Sequence, residues 1–259
     1  MPGFKNTSAY RLATLSGNST ISYLDSGPAN APVLLFLHGL GDNARIWSQT
    51  IPALCTTFRC IAPDLPGHGQ SNVHPFNYRM HDYATLLSEF LSFLKIRTFS
   101  LVAHSMGGQI GIVLSLRLAA SVEKLVLVAP AGFEQFTAHE RQLLELSASY
   151  GHTLNVGGAG SSDNNTHRKT AQRKSVSGML AEPVFGFLPQ IHTDSLVIFG
   201  EQDPFIPNRY LHHTTPAAIA RAGTAQLPNA QLQLFNRCGH YPQTEQAERF
   251  NRALNNFLI

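Results

Sequence analysis

A series of short, continuously apolar runs limits what this chain can fold into. Val33–Leu37, Ser100–Ala103, Lys124–Val128 and Ser195–Phe199 are each only a few residues long and lack a polar face, Cys60-Ile-Ala-Pro-Asp64 has the same apolar character, and Gln231–Phe235 supplies the last strand. Runs of this kind are strands buried on both sides, as in a parallel sheet covered by helices. The intervening segments supply the helices. From Met80 to Lys95 the positions Tyr83, Leu87, Phe90, Leu91 and Leu94 recur at helical spacing, and Met106–Ala119 is apolar nearly all round. Ala44–Leu54, with Asp42 or Asn43 as its cap, and Glu245–Leu258 are further helices. Alternation of strand and helix predicts an α/β fold with a mostly parallel central sheet flanked by helices. Before it, Tyr10–Leu15 and Thr20–Leu24 alternate apolar and polar residues around Gly17-Asn18, which predicts an antiparallel hairpin at the sheet edge.

The alternation lapses after Pro130. Thr137-Ala-His-Glu140 reads as a capping box ahead of a helix. Gly151 to Gly178 is rich in Gly, Ser, Asn, Asp and Thr with little apolar periodicity, and is expected to be a mobile loop. Within it, His167–Lys174 is a basic cluster, read as solvated charge with an acidic partner as the rival reading. The division expected is therefore a core of residues 1–130 and 194–259 and a small, partly mobile lid over 131–193. No internal repeat is present.

Composition narrows the class. At 259 residues with 43% hydrophobic and 14% charged side chains, the chain has enough apolar material for one large domain. A net charge of +3 falls short of the clustered basicity of a nucleic-acid binder. Cys55, Cys60 and Cys238 are an odd number without metal-ligand spacing, which suits a reducing compartment. The N-terminal residues lack a secretory apolar run, and no stretch is long enough to cross a bilayer, so a soluble cytoplasmic protein is expected. Neither a metal site nor a dinucleotide cofactor is expected, because His-Glu-x-x-His, paired Cys-x-x-Cys and Gly-x-Gly-x-x-Gly after the first parallel strand are all missing, and His212-His213 are adjacent.

The polar motifs fall where the apolar strands end, the edge at which open α/β sheets bind ligands. Val102-Ala-His-Ser105-Met-Gly-Gly108 joins a strand to a helix through a serine whose neighbours at minus two and plus two, Ala103 and Gly107, are small. Such a turn presents a serine hydroxyl as a nucleophile. Gly200-x-x-Asp203-x-x-x-Pro207 and Gly239-His240 follow later strands, and His38-Gly-Leu-Gly41 follows the first buried one. With Asp64-Leu-Pro-Gly-His-Gly-Gln-Ser71, these motifs resemble the α/β-hydrolase superfamily, specifically its capped carboxylesterase and lipase-like branch, from about Pro32 onward. The elbow begins with Ala103 where the commonest pattern has glycine.

The resemblance implies a serine hydrolase that cleaves carboxylic esters through an acyl-enzyme. Ser105 is the nucleophile, His240 the base and Asp203 the acid, with backbone N–H groups of Leu40 and Met106 as oxyanion donors. Glu134 is the reserve acid. His38 and His104 are expected to hold loops by hydrogen bonds, and Trp47 to pack. Phe133, Phe136, Leu180, Phe185 and Phe187 are the candidate substrate pocket. The partner is a small-molecule ester, with no cofactor, no nucleic acid and no stable membrane insertion. A carbon-carbon bond hydrolase or a cofactor-free perhydrolase with the same triad is the nearest rival. A slow-turnover or non-catalytic ligand receptor is the rival from another class. A serine at 105 argues against the dehalogenase and epoxide-hydrolase branches, which use an aspartate there.

Overall fold

The computed structural model describes residues 10–73, 75–149 and 166–259. Its strands are β1 Tyr10–Thr14, β2 Thr20–Ser26, β3 Val33–Leu37, β4 Arg59–Pro63, β5 Phe99–His104, β6 Val122–Val128, β7 Ser195–Gly200 and β8 Ala230–Phe235. They form one eight-stranded sheet in the order β1-β2-β4-β3-β5-β6-β7-β8. The pairs β1–β2 and β2–β4 are antiparallel, and the remaining pairs from β4 to β8 are parallel. The fold is thus the expected α/β-hydrolase architecture, with the hairpin at one edge.

The two-residue side-chain period of a strand divides the apolar runs between two cores. Leu34, Phe36, Val102, Val126 and Ile198 point to one face, where they meet Trp47, Phe250 and Leu254. Leu35, Leu37, Leu101, Leu127 and Phe199 point to the other, under Phe90, Leu87 and Ile110. Both faces being buried explains why these strands show no polar alternation. The helices are α1 Ile51–Leu54, α2 Met80–Phe93, α3 Met106–Arg117, α4 Ala138–Ser149, α5 Thr166–Ala181, α6 Pro216–Thr224, α7 Pro242–Glu245 and α8 Ala247–Leu258. Helix α3 is buried along most of its length.

Three expectations need correction. The helix expected over Ala44–Leu54 is split into a 3-10 turn at Ala44–Trp47 and the short α1. Pro52 lacks an N–H, so it sits in the first turn of a new helix and does not continue an old one. Asn43 caps the 3-10 turn, its side-chain oxygen accepting from Arg45 N at 3.0 Å. Similarly, Gln246 leaves helical geometry (φ −135°, ψ 51°) and separates α7 from α8.

The third correction is larger. Of the loop expected over 151–178, residues 151–165 lie outside the described residues, but Thr166 onward is helical. Arg168, Lys169, Ala171, Gln172, Arg173 and Lys174 are all good helix formers. The helix docks through small residues at i, i+4 and i+7, namely Ala171, Ser175 and Gly178. The Ser175 and Tyr83 hydroxyls are 2.9 Å apart. A Cβ on Gly178 would lie 2.2 Å from the Tyr78 carbonyl oxygen. The basic cluster is therefore the first half of a helix. Arg168 Nη2 donates to Gly69 O at 3.0 Å, and Lys174 Nζ lies 5.9 Å from the Tyr78 ring centroid. The capping box ahead of α4 is formed: Glu140 N donates to Thr137 Oγ1 at 3.2 Å, and Thr137 N to Glu140 Oε2 at 2.7 Å.

Candidate active site

Because β3 to β8 run parallel, the residues that follow them emerge on one sheet edge. Ser105 stands between β5 and α3 with φ 54° and ψ −120°, a strained conformation for a residue with a Cβ. The surroundings hold it there. Ser105 N donates to Val128 O at 3.0 Å, and Ser105 O accepts from Gly108 N at 2.8 Å and Ala131 N at 2.9 Å. A Cβ on Gly107 would come within 2.5 Å of the His38 carbonyl oxygen, so only glycine lets α3 start this close to the loop after β3. That loop in turn lies against the serine, since a Cβ on Gly39 would be 3.0 Å from Ser105 Cβ.

Asp203 and His240 meet. Asp203 is fully buried after β7, with Oδ1 accepting from Phe205 N at 2.8 Å and Ile206 N at 3.0 Å. Its Oδ2 is 2.7 Å from His240 Nδ1, and the imidazole is 3% exposed. That bond commits Nδ1 and leaves Nε2 as the nitrogen turned away from the carboxylate. His104 Nε2 donates to the His240 carbonyl at 2.9 Å, and the Phe205 ring packs edge-on against the imidazole at 5.1 Å. Glu134, the reserve acid, does not reach His240; it pairs with His212 Nδ1 at 2.5 Å and accepts from Asn208 N.

The loop carrying Leu40 is fixed by His38, which donates from Nδ1 to Gly39 O at 2.8 Å and accepts Leu65 N on Nε2 at 2.9 Å. Burial pushes this imidazole down to about 4, so it is neutral near pH 7. Burial likewise holds His104 well below the ordinary histidine value, with His240 adding to the effect. The N–H groups of Leu40 and Met106 donate to no acceptor among the described residues, although both residues are buried. Met106 is the first residue of α3, so its N–H is one of the donors a helix leaves unpaired. Asp42, just beyond this loop, has a buried Oδ2 without a partner. Burial raises its carboxyl to about 7, against a downward pull from His240.

Beside these residues lies a cavity of about 490 Å³ under α4, α5 and the 3-10 turn Phe185–Gln190. Ser105 and His240 do not themselves line it. Their neighbours do: Gln109, one turn along α3; Ala131, whose N–H bonds Ser105 O; and Phe205 against His240. Phe136, Leu180, Phe185 and Phe187 line the cavity. Phe133 does not, which corrects its assignment to the pocket. It is 1% exposed, stacked on Phe199 at 6.3 Å and pressed against Gly223 of α6. Trp47 packs against Phe36 at 5.2 Å. Among the described residues no group of three or more His, Cys, Asp or Glu side chains is arranged to hold a metal ion.

Phe205, Gln109 and Arg141 also line the cavity and were not singled out from the sequence. The position of Phe205 two residues after Asp203 was a usable signal; Gln109 and Arg141 had none beyond helical spacing from Ser105 and Thr137.

The profile of the Alpha/beta hydrolase family matches residues 34–253. The chain belongs to this family. A 2-hydroxy-6-oxononadienedioate/2-hydroxy-6-oxononatrienedioate hydrolase of Burkholderia vietnamiensis is 30% identical over 92% of this chain and 90% of its own length. A haloalkane dehalogenase of Mesorhizobium japonicum is 42% identical, but over only 39% of this chain and 32% of that protein. Among solved structures, a thermophilic esterase from Thermogutta terrifontis superposes with a TM-score of 0.78 at 21% identity, covering 96% of this chain and 98% of the esterase. Membership makes this chain a member of a hydrolase enzyme family whose relatives include esterases, dehalogenases and carbon-carbon bond hydrolases. No described helix is long and apolar enough to cross a membrane.

Proposed function

We propose that the protein is a serine hydrolase that cleaves carboxylic esters through an acyl-enzyme. The observation that carries this reading is the buried 2.7 Å bond between Asp203 Oδ2 and His240 Nδ1, on the same sheet edge as a Ser105 held at positive φ. In the proposed reaction Ser105 Oγ attacks the ester carbonyl while His240 Nε2 takes its proton. Asp203 keeps the imidazole in the tautomer with hydrogen on Nδ1 and stabilises the imidazolium. The carbonyl oxygen, now negative, receives the unpaired N–H groups of Leu40 and Met106; a donor of this kind contributes about 3–4 kcal/mol to the transition state. His240 returns the proton to the departing alkoxide, and water repeats the sequence on the acyl-enzyme. An ester needs nothing beyond these groups, because the leaving alkoxide requires only one proton.

Carbon-carbon cleavage is the second reading. It is favoured by the relative from Burkholderia vietnamiensis, whose match spans nearly the whole of both chains. It asks more of the site, since a departing carbanion needs an electron sink in the substrate. The dehalogenase likeness carries less weight: it covers the smaller part of the chain, and residue 105 is serine.

The test is turnover of p-nitrophenyl esters and of a vinylogous 1,5-diketone by the native protein and by Ser105→Ala. Ester hydrolysis that falls by at least about 1,000-fold in the variant supports the mechanism. Ester hydrolysis that persists in Ser105→Ala rules it out, and turnover of the diketone alone replaces it with the second reading.

A further inference from the structure

The cavity under α4 and α5 is apolar along most of its wall, with Phe136, Leu144, Leu180 and Phe185 among its lining, yet two charged side chains face it: Glu134 and Arg141. Their situations differ. Glu134 is engaged twice, by His212 Nδ1 at 2.5 Å and by Asn208 N at 2.7 Å, so its carboxylate is hydrogen-bonded within the protein. The Arg141 guanidinium forms no ion pair and no hydrogen bond among the described residues. It is half-buried, and a cation partly withdrawn from water without a counter-ion is costly.

Its place in the helix sharpens the point. Arg141 sits in the first turn of α4, its N–H donating to Thr137 O. The positive end of a helix dipole disfavours a cation there, whereas it favours an anion. Glu140, next in the chain, does not neutralise Arg141; its carboxylate is bound by Thr137 and by His212 Nε2 at 3.3 Å. The lining therefore offers a substrate an unpaired guanidinium beside a helix N-terminus, while the carboxylates of Glu134 and Glu140 are turned to His212.

We infer that the acyl group of the substrate ends in a carboxylate, which Arg141 receives when the chain lies along the apolar wall. The substrate class is that of hemiesters of aliphatic dicarboxylic acids. This rests on the proposed ester hydrolysis and names Arg141 as the residue that sets acyl specificity. A planar guanidinium pairs with a carboxylate through two parallel N–H···O bonds, and an alkyl chain of several methylenes suits the aromatic and aliphatic lining.

The experiment uses a matched pair, mono-p-nitrophenyl adipate and p-nitrophenyl hexanoate, which share a six-carbon acyl chain and differ in its terminal group. Arg141→Gln should raise KM for the adipate ester and lower its kcat/KM at least tenfold, with the hexanoate ester within twofold of native. Arg141→Lys should recover part of the adipate rate, and added salt should erode the adipate preference. Equal losses on both esters would make Arg141 a structural residue, and an unchanged adipate rate would remove it from recognition. Binding of adipate to Ser105→Ala and to Ser105→Ala/Arg141→Gln, measured by calorimetry, needs no turnover: tenfold weaker binding in the double variant supports the inference, and equal affinities overturn it. Hexanoate hydrolysis that survives in Ser105→Ala would instead strike the underlying serine mechanism.

Discussion

The sheet edge and the segment between β6 and β7 are held together by different means. At the edge every loop is tied by buried hydrogen bonds: Ser105 to Val128 and Ala131, His38 to Gly39 and Leu65, Asp203 to Phe205, Ile206 and His240. The segment above it rests on a capping box, the pairing of His212 with Glu134 and Glu140, and a stripe of small residues on α5, with side-chain ties to the core from Tyr83 to Ser175 and from Gln109 to the Met179 and Glu182 carbonyls. A group that must meet a reacting carbonyl within a few tenths of an ångström belongs on the first kind of support. A wall that only has to fit a substrate can stand on the second. The two regions should accordingly answer mutation differently, the edge through stability and rate constant together, the segment through substrate preference.

The sharpest way to break that contrast uses two phenylalanines three residues apart. Phe133 is packed on Phe199 and Gly223, so Phe133→Ala should leave a cavity and cost about 3–5 kcal/mol in a urea unfolding series. Phe136 lines the substrate-sized cavity and stacks on His212 at 5.3 Å. Phe136→Ala should cost less than about 1.5 kcal/mol of stability and instead shift the dependence of kcat/KM on acyl chain length. Equal destabilisation by the two changes would show that the segment is as much a part of the core as the sheet.

The same pair of regions marks what the sequence made legible. Buried strands announce themselves, because a run such as Val33–Leu37 has no other economical fold, and the residues after each run are then fixed on one edge. Ser105, Asp203 and His240 are assigned to that edge by this logic before any coordinates, and the structure has them there. The register of contacts above the edge is not. Helix α5 hides from apolar periodicity because it docks through Ala171, Ser175 and Gly178, and these read as loop residues when only large side chains are counted. Phe133 and Phe136 look alike in sequence, and only the position of α6 decides which of them is packed and which is open. Glu134 was a plausible acid until His212, some eighty residues later, took its carboxylate.

A smaller effect is expected from the loop after β4, which supports the edge from outside. Asp64 is fully buried, with Oδ1 accepting from Ala44 N and Oδ2 from Gln70 N, each at 2.8 Å. Burial raises its carboxyl, and the two backbone donors oppose that rise. Asp64→Asn keeps the shape but turns an amide NH2 toward one of the two N–H donors. Leaving that donor unpaired should cost about 1–3 kcal/mol. Thermal melting and ester turnover measured together would show whether the loss reaches Ser105: a stability loss with kcat unchanged confines Asp64 to support of the loop.

The smallest effect is a dependence of stability on pH, and it too separates the regions because it belongs to the edge. His68 is buried, 5.3 Å from the His38 ring, with Nδ1 bonded to Pro66 O at 3.0 Å and Nε2 without a partner. Burial pushes its imidazole down to about 3; His38 and Arg168 act in the same direction, and the Pro66 carbonyl and Asp64 oppose it. Between the ordinary value of 6.5 and this one the unfolded chain binds a proton that the folded chain refuses. Stability therefore falls as pH falls through that window. Asp42 acts with the opposite sign, since its raised carboxyl takes up a proton in the folded state before it does so in the unfolded chain. The slope of the native protein is a sum of such contributions, so the informative quantity is a difference between proteins. His68→Gln keeps a donor for Pro66 O and cannot titrate. Relative to native, it should gain about 1–2 kcal/mol of stability between pH 7 and pH 5 in urea unfolding. A difference that stays flat over that range would mean that the His68 imidazole takes up its proton without unfolding, and that the loop behind the candidate oxyanion site opens to water far more readily than its hydrogen bonds imply.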